Sequence, residues 1–130
     1  MDFDCASSRL IGSGDAHYDP VTGVVEMDFV APPEFASPRG VVQGGLIGGF
    51  LDEVMGAAVY HGSNFKLLPL NLDFNISCLK LVPIGPLKAK ARVLKMGRKV
   101  AFIEGELFSP DGELLARSTS TAMLSEVPAG

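Results

Sequence analysis

The sequence predicts an α+β domain in which one long apolar helix packs against an antiparallel sheet. Three observations carry this reading. A single apolar segment over residues 41–56 has helical periodicity. Two later segments, 70–80 and 87–94, alternate apolar and polar side chains as half-buried strands do. Turn signals made of proline, glycine and aspartate separate those strands at hairpin spacing, so that neighbours in sequence lie antiparallel.

The elements follow in order. Residues 1–20 read as an N-terminal extension, closed by an Asp19-Pro20 turn. Residues 23–30 are rich in β-formers and predict a first strand. Pro32, Pro33 and Pro38 then impose an irregular approach to the helix. Within the strand over 70–80, Leu72, Phe74, Ile76 and Cys78 face one way, and Asn71, Asp73, Asn75 and Ser77 face the other. Pro83-Ile84-Gly85-Pro86 is a turn, and Gly97-Arg98 marks a hairpin before a strand over 100–108. Pro110-Asp111-Gly112 sets the last hairpin, before a strand over 114–124 and a tail at 125–130.

A chain of 130 residues makes one domain, 1–130, with room for one core. Hydrophobic residues make up 47% and the mean hydropathy is +0.28, which describes a well-buried globule able to bury more in an oligomer. A net charge of -4 and a pI near 5.0 argue against nucleic acid as a general partner. Cys5 and Cys78 form no disulfide or metal-binding pattern, as expected of a reducing compartment. With no basic-then-apolar leader and no apolar run of membrane-spanning length, the expected location is cytoplasmic, without a membrane partner.

The central helix is asymmetric. Leu46, Ile47, Phe50, Leu51, Val54, Met55 and Ala58 form a broad apolar face. Gly48, Asp52 and Gly56 share another face with Gly49 beside them, while Glu53 points off it. Each interior glycine costs a helix about 1 kcal/mol relative to alanine, so bare backbone is wanted here. It serves either close packing by a neighbouring element or a ligand lying beside Asp52.

The order of elements, together with Ser37-Pro38-Arg39-Gly40-Val41-Val42-Gln43-Gly44-Gly45, six residues and then Asp52, resembles the hotdog-fold thioesterases of the PaaI-like (phenylacetate-degradation type) acyl-CoA thioesterase family. That family shows Asn-Pro-x-Gly-x-x-His-Gly-Gly, six residues, and an acidic residue. Asn71-Leu72-Asp73-Phe74-Asn75-Ile76 is similar to its Thr/Ser-x-Asp-Leu-x-Ile strand. Gln43 stands where the family has histidine and Ser37 where it has asparagine; glutamine exchanges hydrogen bonds but cannot carry a proton.

The resemblance implies a hotdog fold and hydrolysis of an aryl- or fatty-acyl-CoA to free acid and CoA, with no metal or other cofactor. Asp52 would act as general base or as nucleophile, and the Gly44 N–H would polarise the thioester carbonyl. Gln43 and Asn71 would support them, with Gly45 and Ser37 on the substrate side. Apart from the resemblance, the methionines read as core filler, with a place lining an acyl pocket open to Met55 and Met123. Arg98 is a candidate phosphate contact at a turn, whereas Lys88, Lys90 and Arg92 have the period-two spacing of a solvated strand face. His17 and His61 lack metal-ligand spacing and read as surface or capping residues.

One step rests on geometry alone. Eight residues separate Gly44 from Asp52, about 12 Å along a helix, and both must lie near one reacting carbon. One helix cannot supply both, so a homodimer with interfacial sites is expected; hotdog proteins are often dimers of dimers. A non-catalytic acyl-CoA-binding protein, a hotdog hydratase and a purely structural dimer module are the rival readings, and the missing histidine counts against the hydratase.

Overall fold

The computed structural model of the chain describes residues 5–128. A short helix α1 (Ala6–Leu10) leads into β1 (Ser13–Asp19) and β2 (Val24–Ala31); a single 3₁₀ turn (Pro33–Phe35) precedes α2 (Gly44–Gly62). Then come β3 (Leu67–Cys78), β4 (Gly85–Met96), β5 (Val100–Phe108) and β6 (Leu114–Glu126). All six strands join one antiparallel sheet in the order β1-β2-β4-β5-β6-β3. Helix α2 contacts every strand of it, which makes two layers around one core.

The core lies where the apolar face of α2 meets the inward residues of the sheet. Phe50, Leu51, Val54, Met55 and Val59 of the helix meet Val25 and Phe29 of β2, Leu87 of β4, and Ile103 and Leu107 of β5, all fully buried. Phe50 packs edge-on against Phe29, with ring centroids 5.4 Å apart. Of the expected apolar face only Leu46 is substantially exposed, at the first turn.

The helix can come this close because β5 offers a glycine beneath it. A Cβ on Gly105 would stand 2.8 Å from Ser118 Oγ and 3.0 Å from Met55 Cγ. The Ser118 hydroxyl, buried in the core, donates to Met55 Sδ at 3.4 Å.

The strands expected over 23–30, 87–94, 100–108 and 114–124 are all present with shifted ends, and β6 runs on to Glu126, into the expected tail. Residues 1–4 of the expected extension and 129–130 of the tail lie outside the described residues. Residues 13–19 do not stand apart from the sheet: they form its edge strand β1. Only Ala16 and Tyr18 pack on the core there, too few to leave a hydrophobic period in the sequence. Gly12, at φ +68°, starts the pairing, its carbonyl accepting from the Val30 N–H at 2.9 Å. A Cβ there would lie 2.1 Å from the Val30 oxygen, so no other residue fits.

A second departure bears on function. The β3–β6 register shifts between Asn71 and Asp73, so β3 carries a bulge at Leu72. Asn71 opposes Ala122, and Phe74 opposes Ser120, both inward residues of β6. Asn71 therefore shares the helix-facing side with Phe74 and Ile76, where plain alternation puts it on the opposite side.

Gly105→Ala overpacks the contact between α2 and β5. It should cost about 1–3 kcal/mol, read as a lower urea midpoint at unchanged m-value.

Candidate active site

The loop entering α2 is fixed by backbone pairing. Ser37 opens a tight turn in which the Gly40 N–H donates to the Ser37 carbonyl and the Ser37 N–H donates to Val41 O, with Gly40 at φ +79°. Val42 N donates to Val82 O at 2.8 Å, and Gln43 N to Phe35 O at 2.9 Å, which delivers the chain to the helix start. Gln43 is the N-cap residue, and its side-chain oxygen accepts from the Leu46 N–H at 3.1 Å. Its Oε1 is thus engaged with the helix, and the side-chain NH₂ remains as a donor.

Gly44 is the first helical residue and is exposed, and a Cβ on it would meet nothing within 4 Å. N–H groups at this position have no intrahelical partner, and the positive end of the helix dipole lies here. The position can therefore receive an oxygen that gains negative charge.

Asp52 lies two turns further on, exposed, on the side of α2 next to β3. Asn71 Nδ2 donates to Asp52 Oδ1 at 2.7 Å, and Ser120 Oγ donates to Asn71 Oδ1 at 2.7 Å. The direction of this chain is forced. An ionised carboxylate only accepts, so the amide must turn its NH₂ to Asp52 and its oxygen to Ser120, which must donate. Ser120, only 3% exposed, anchors the chain in the wall of the core. The bulge in β3 brings Asn71 into it.

Ser120 is absent from the sequence-based set. Its signal is the alternation of Ser118 and Ser120 with Ala116 and Ala122, which places hydroxyls on the buried face of β6. Such groups need partners, and one of these finds Asn71.

The glycines of α2 divide between the two uses expected of them. At Gly48 a Cβ would lie 2.9 Å from Ile76 Cδ1, so this glycine serves packing against β3; above Gly44 and Gly56 the space is open. A Cβ on Gly45 would come to 3.0 Å from Gln43 Oε1, so Gly45 makes room for the capping side chain. Ser37 is half-buried in its turn. Met55 does not face an open groove: it is 1% exposed, between Gly105 and Ser118. Arg98, exposed in the β4–β5 hairpin, is at the far end of α2 from Gly44, since neighbouring Met96 reaches Gly62.

Lys88 and Lys90 pair with Asp28 and Glu26 of β2, and Arg92 with Glu104 of β5, so these cations form a solvated, charge-paired strand face. His17 is exposed. His61 stacks on Tyr18 with centroids 5.5 Å apart, and partial burial lowers its pKa. It stands nine residues beyond Asp52, about 13 Å along the helix. Among the described residues no group of three His, Cys, Asp or Glu side chains could hold a metal ion, and no helix is long and apolar enough to cross a membrane.

The two edges of the sheet differ. β1 has seven residues; β3 has twelve, pairs among the described residues only with β6, and exposes Leu70 and Leu72 at 58% and 61%. A long apolar edge is a ready template for another strand.

Residues 39–116 match the family model described as the thioesterase superfamily. The fold superimposes on a phenylacetic acid degradation-related protein from Ralstonia eutropha with a TM-score of 0.83 and 36% identity, covering 91% of this chain and 89% of that one. A conserved protein from Pseudomonas aeruginosa follows at TM-score 0.78 and 28% identity, covering 93% and 94%. A Bacillus halodurans protein, whose structure was determined with CoA, has TM-score 0.79 and 19% identity, covering 98% and 83%. No curated protein matches the sequence. From the sequence match, the identity to the Ralstonia protein and a six-stranded sheet packed on one long helix, the chain belongs to the thioesterase superfamily and is a thioester hydrolase of hotdog fold.

Proposed function

We propose that the protein hydrolyses acyl-CoA thioesters carrying an aryl or fatty acyl group, and that it does so as a homodimer with two interfacial sites. The observation that carries this reading is the chain from Ser120 through Asn71 to Asp52, which holds one carboxylate oxygen and leaves the other to accept from water. CoA in the Bacillus halodurans structure supports a CoA ester as substrate.

In this reading Asp52 is the general base. It takes a proton from water as the water attacks the thioester carbonyl, and the N–H of Gly44 in the partner subunit stabilises the oxyanion. Collapse of the tetrahedral adduct breaks the C–S bond and expels CoA as its thiolate, which takes the proton back from Asp52, leaving the free acid and a carboxylate ready for the next turnover. Gln43 offers its remaining amide donor near the carbonyl, and Gly45 and Ser37 border the acyl-CoA beside it. Arg98, an exposed cation, meets a CoA phosphate. Water and the chain's own groups suffice for every step, without a metal or cofactor.

Two observations support the dimer: the separation of about 12 Å between Gly44 and Asp52 along one helix, and the edge position of β3 next to Asp52. Strand pairing along β3 covers that edge and carries the partner's helix start toward Asp52. Leu94, Phe102 and Met123, exposed on the sheet face away from α2, provide an apolar contact for pairing two dimers.

Three outcomes test this. Asp52→Asn should lower thiol release from benzoyl- and octanoyl-CoA by about 10²–10⁴-fold; saturable binding of these esters by the native chain without any thiol release would instead favour a non-catalytic binding protein. Ser120→Ala should reduce kcat about tenfold with KM little changed, because it loosens Asn71 without touching substrate. Gly44→Pro removes the N–H at a position where proline is well accommodated, since Gln43 is extended at φ -62°, ψ 135°. Mixed and re-equilibrated with Asp52→Asn, it should restore about a quarter of native activity, because half the dimers then carry one intact site. Two inactive variants that stay inactive on mixing would refute the interfacial site.

A further inference from the structure

Glu53 adjoins Asp52 in sequence but stands about 100° around the helix, and a different part of the molecule receives it. Its carboxylate accepts hydrogen bonds from the hydroxyls of Ser8 in α1 and Ser13 in β1, which fastens the N-terminal segment to α2. Together these elements border a cavity of about 470 Å³. Ala16, Met27, Ala57 and Tyr60 supply apolar wall. Arg9, Asp15, Glu53 and His61 also reach the lining. The volume falls in the range of small-molecule sites, and nothing in the chemistry of Asp52, Asn71 or Gly44 uses it.

Gly56 connects this cavity to the candidate active site. It lines the cavity, and it follows Asp52 by one helical turn, about 6 Å along the axis on the same face. A Cβ on Gly56 would meet no atom within 4 Å, so the absence of a side chain there serves no packing contact. At Gly56, where the cavity comes nearest to Asp52 along this face, α2 presents bare backbone.

We propose that the acyl group of the thioester crosses α2 over Gly56 and lodges in this cavity, which makes Gly56 the residue that sets acyl specificity: acyl groups much larger than acetyl. This rests on the thioesterase reading above and adds to it the place and size of the acyl group. The Glu53 clamp by Ser8 and Ser13 then holds the far wall of the pocket.

The test is a graded series at position 56, because the protein itself should tolerate side chains there. Gly56→Ala should fold and raise the melting temperature, since it replaces glycine inside a helix without a clash. The ratio of kcat/KM for octanoyl-CoA to that for acetyl-CoA should fall several-fold in Gly56→Ala and about tenfold or more in Gly56→Leu, the loss appearing mainly in KM. A ratio that stays within about twofold of native in the stable Gly56→Ala variant and in every larger variant that folds overturns the proposal while leaving the thioesterase reading intact. A native protein that releases thiol from no acyl-CoA overturns the thioesterase reading, and this inference with it.

Discussion

Everything in this structure depends on α2 being held rigidly at a fixed depth on the sheet. The helix is at once the main contributor to the core and the bearer of Gly44, Asp52 and Glu53. Its depth is set where Met55 passes over Gly105 and Ser118. A side chain locked in a close-packed interior has few alternatives, and groups on the opposite face inherit that lack of freedom. Positioning for chemistry therefore requires no rigid loop of its own: the core holds the site in place from beneath.

The same rigidity imposes a limit. Two groups on one straight helix keep their separation whatever the chain around them does, so the donor at the helix start and the carboxylate two turns later never converge within a chain. The molecule leaves one sheet edge long and apolar and the other short, and the proposed dimer uses the long one. In the proposed dimer stability and chemistry draw on one interface: burying Leu70 and Leu72 and completing the site are the same event.

Much of this was legible in the sequence, and the gaps have physical causes. The helix, β2 and β4 are legible because each buries a full face, which writes a clear period into the residues; β5 and β6 follow from the turns around them, and β3 shows in its apolar alternation although none of its residues is buried. β1 and α1 do not show, because an edge strand with two inward residues and a five-residue helix bury too little to leave a period. Of the candidate site, Gly44, Asp52 and Asn71 were named through a resemblance, yet alternation alone turns Asn71 away from Asp52, since a bulge is invisible to a rule of twos. Ser120 was missed because one buried hydroxyl among small residues looks like any other until its partner is known. Of the two places open to Met55, core and acyl pocket, the core claims it because that face of α2 meets the sheet.

The bulge in β3 has one more consequence. Residues before Leu72 and residues after it point inward by opposite parities, so the strand lines up two independent sets of contacts: Leu67 and Asn71 on one side, Phe74 and Ile76 on the other. What joins them correctly is the number of residues between, not their kind. Shortening the strand by one at Leu72 would leave its composition almost untouched and keep every inward residue of the second set in place, while turning Asn71 out to solvent and leaving Asp52 without its donor. That contact is thus specified by chain length, a quantity that substitution alone does not change.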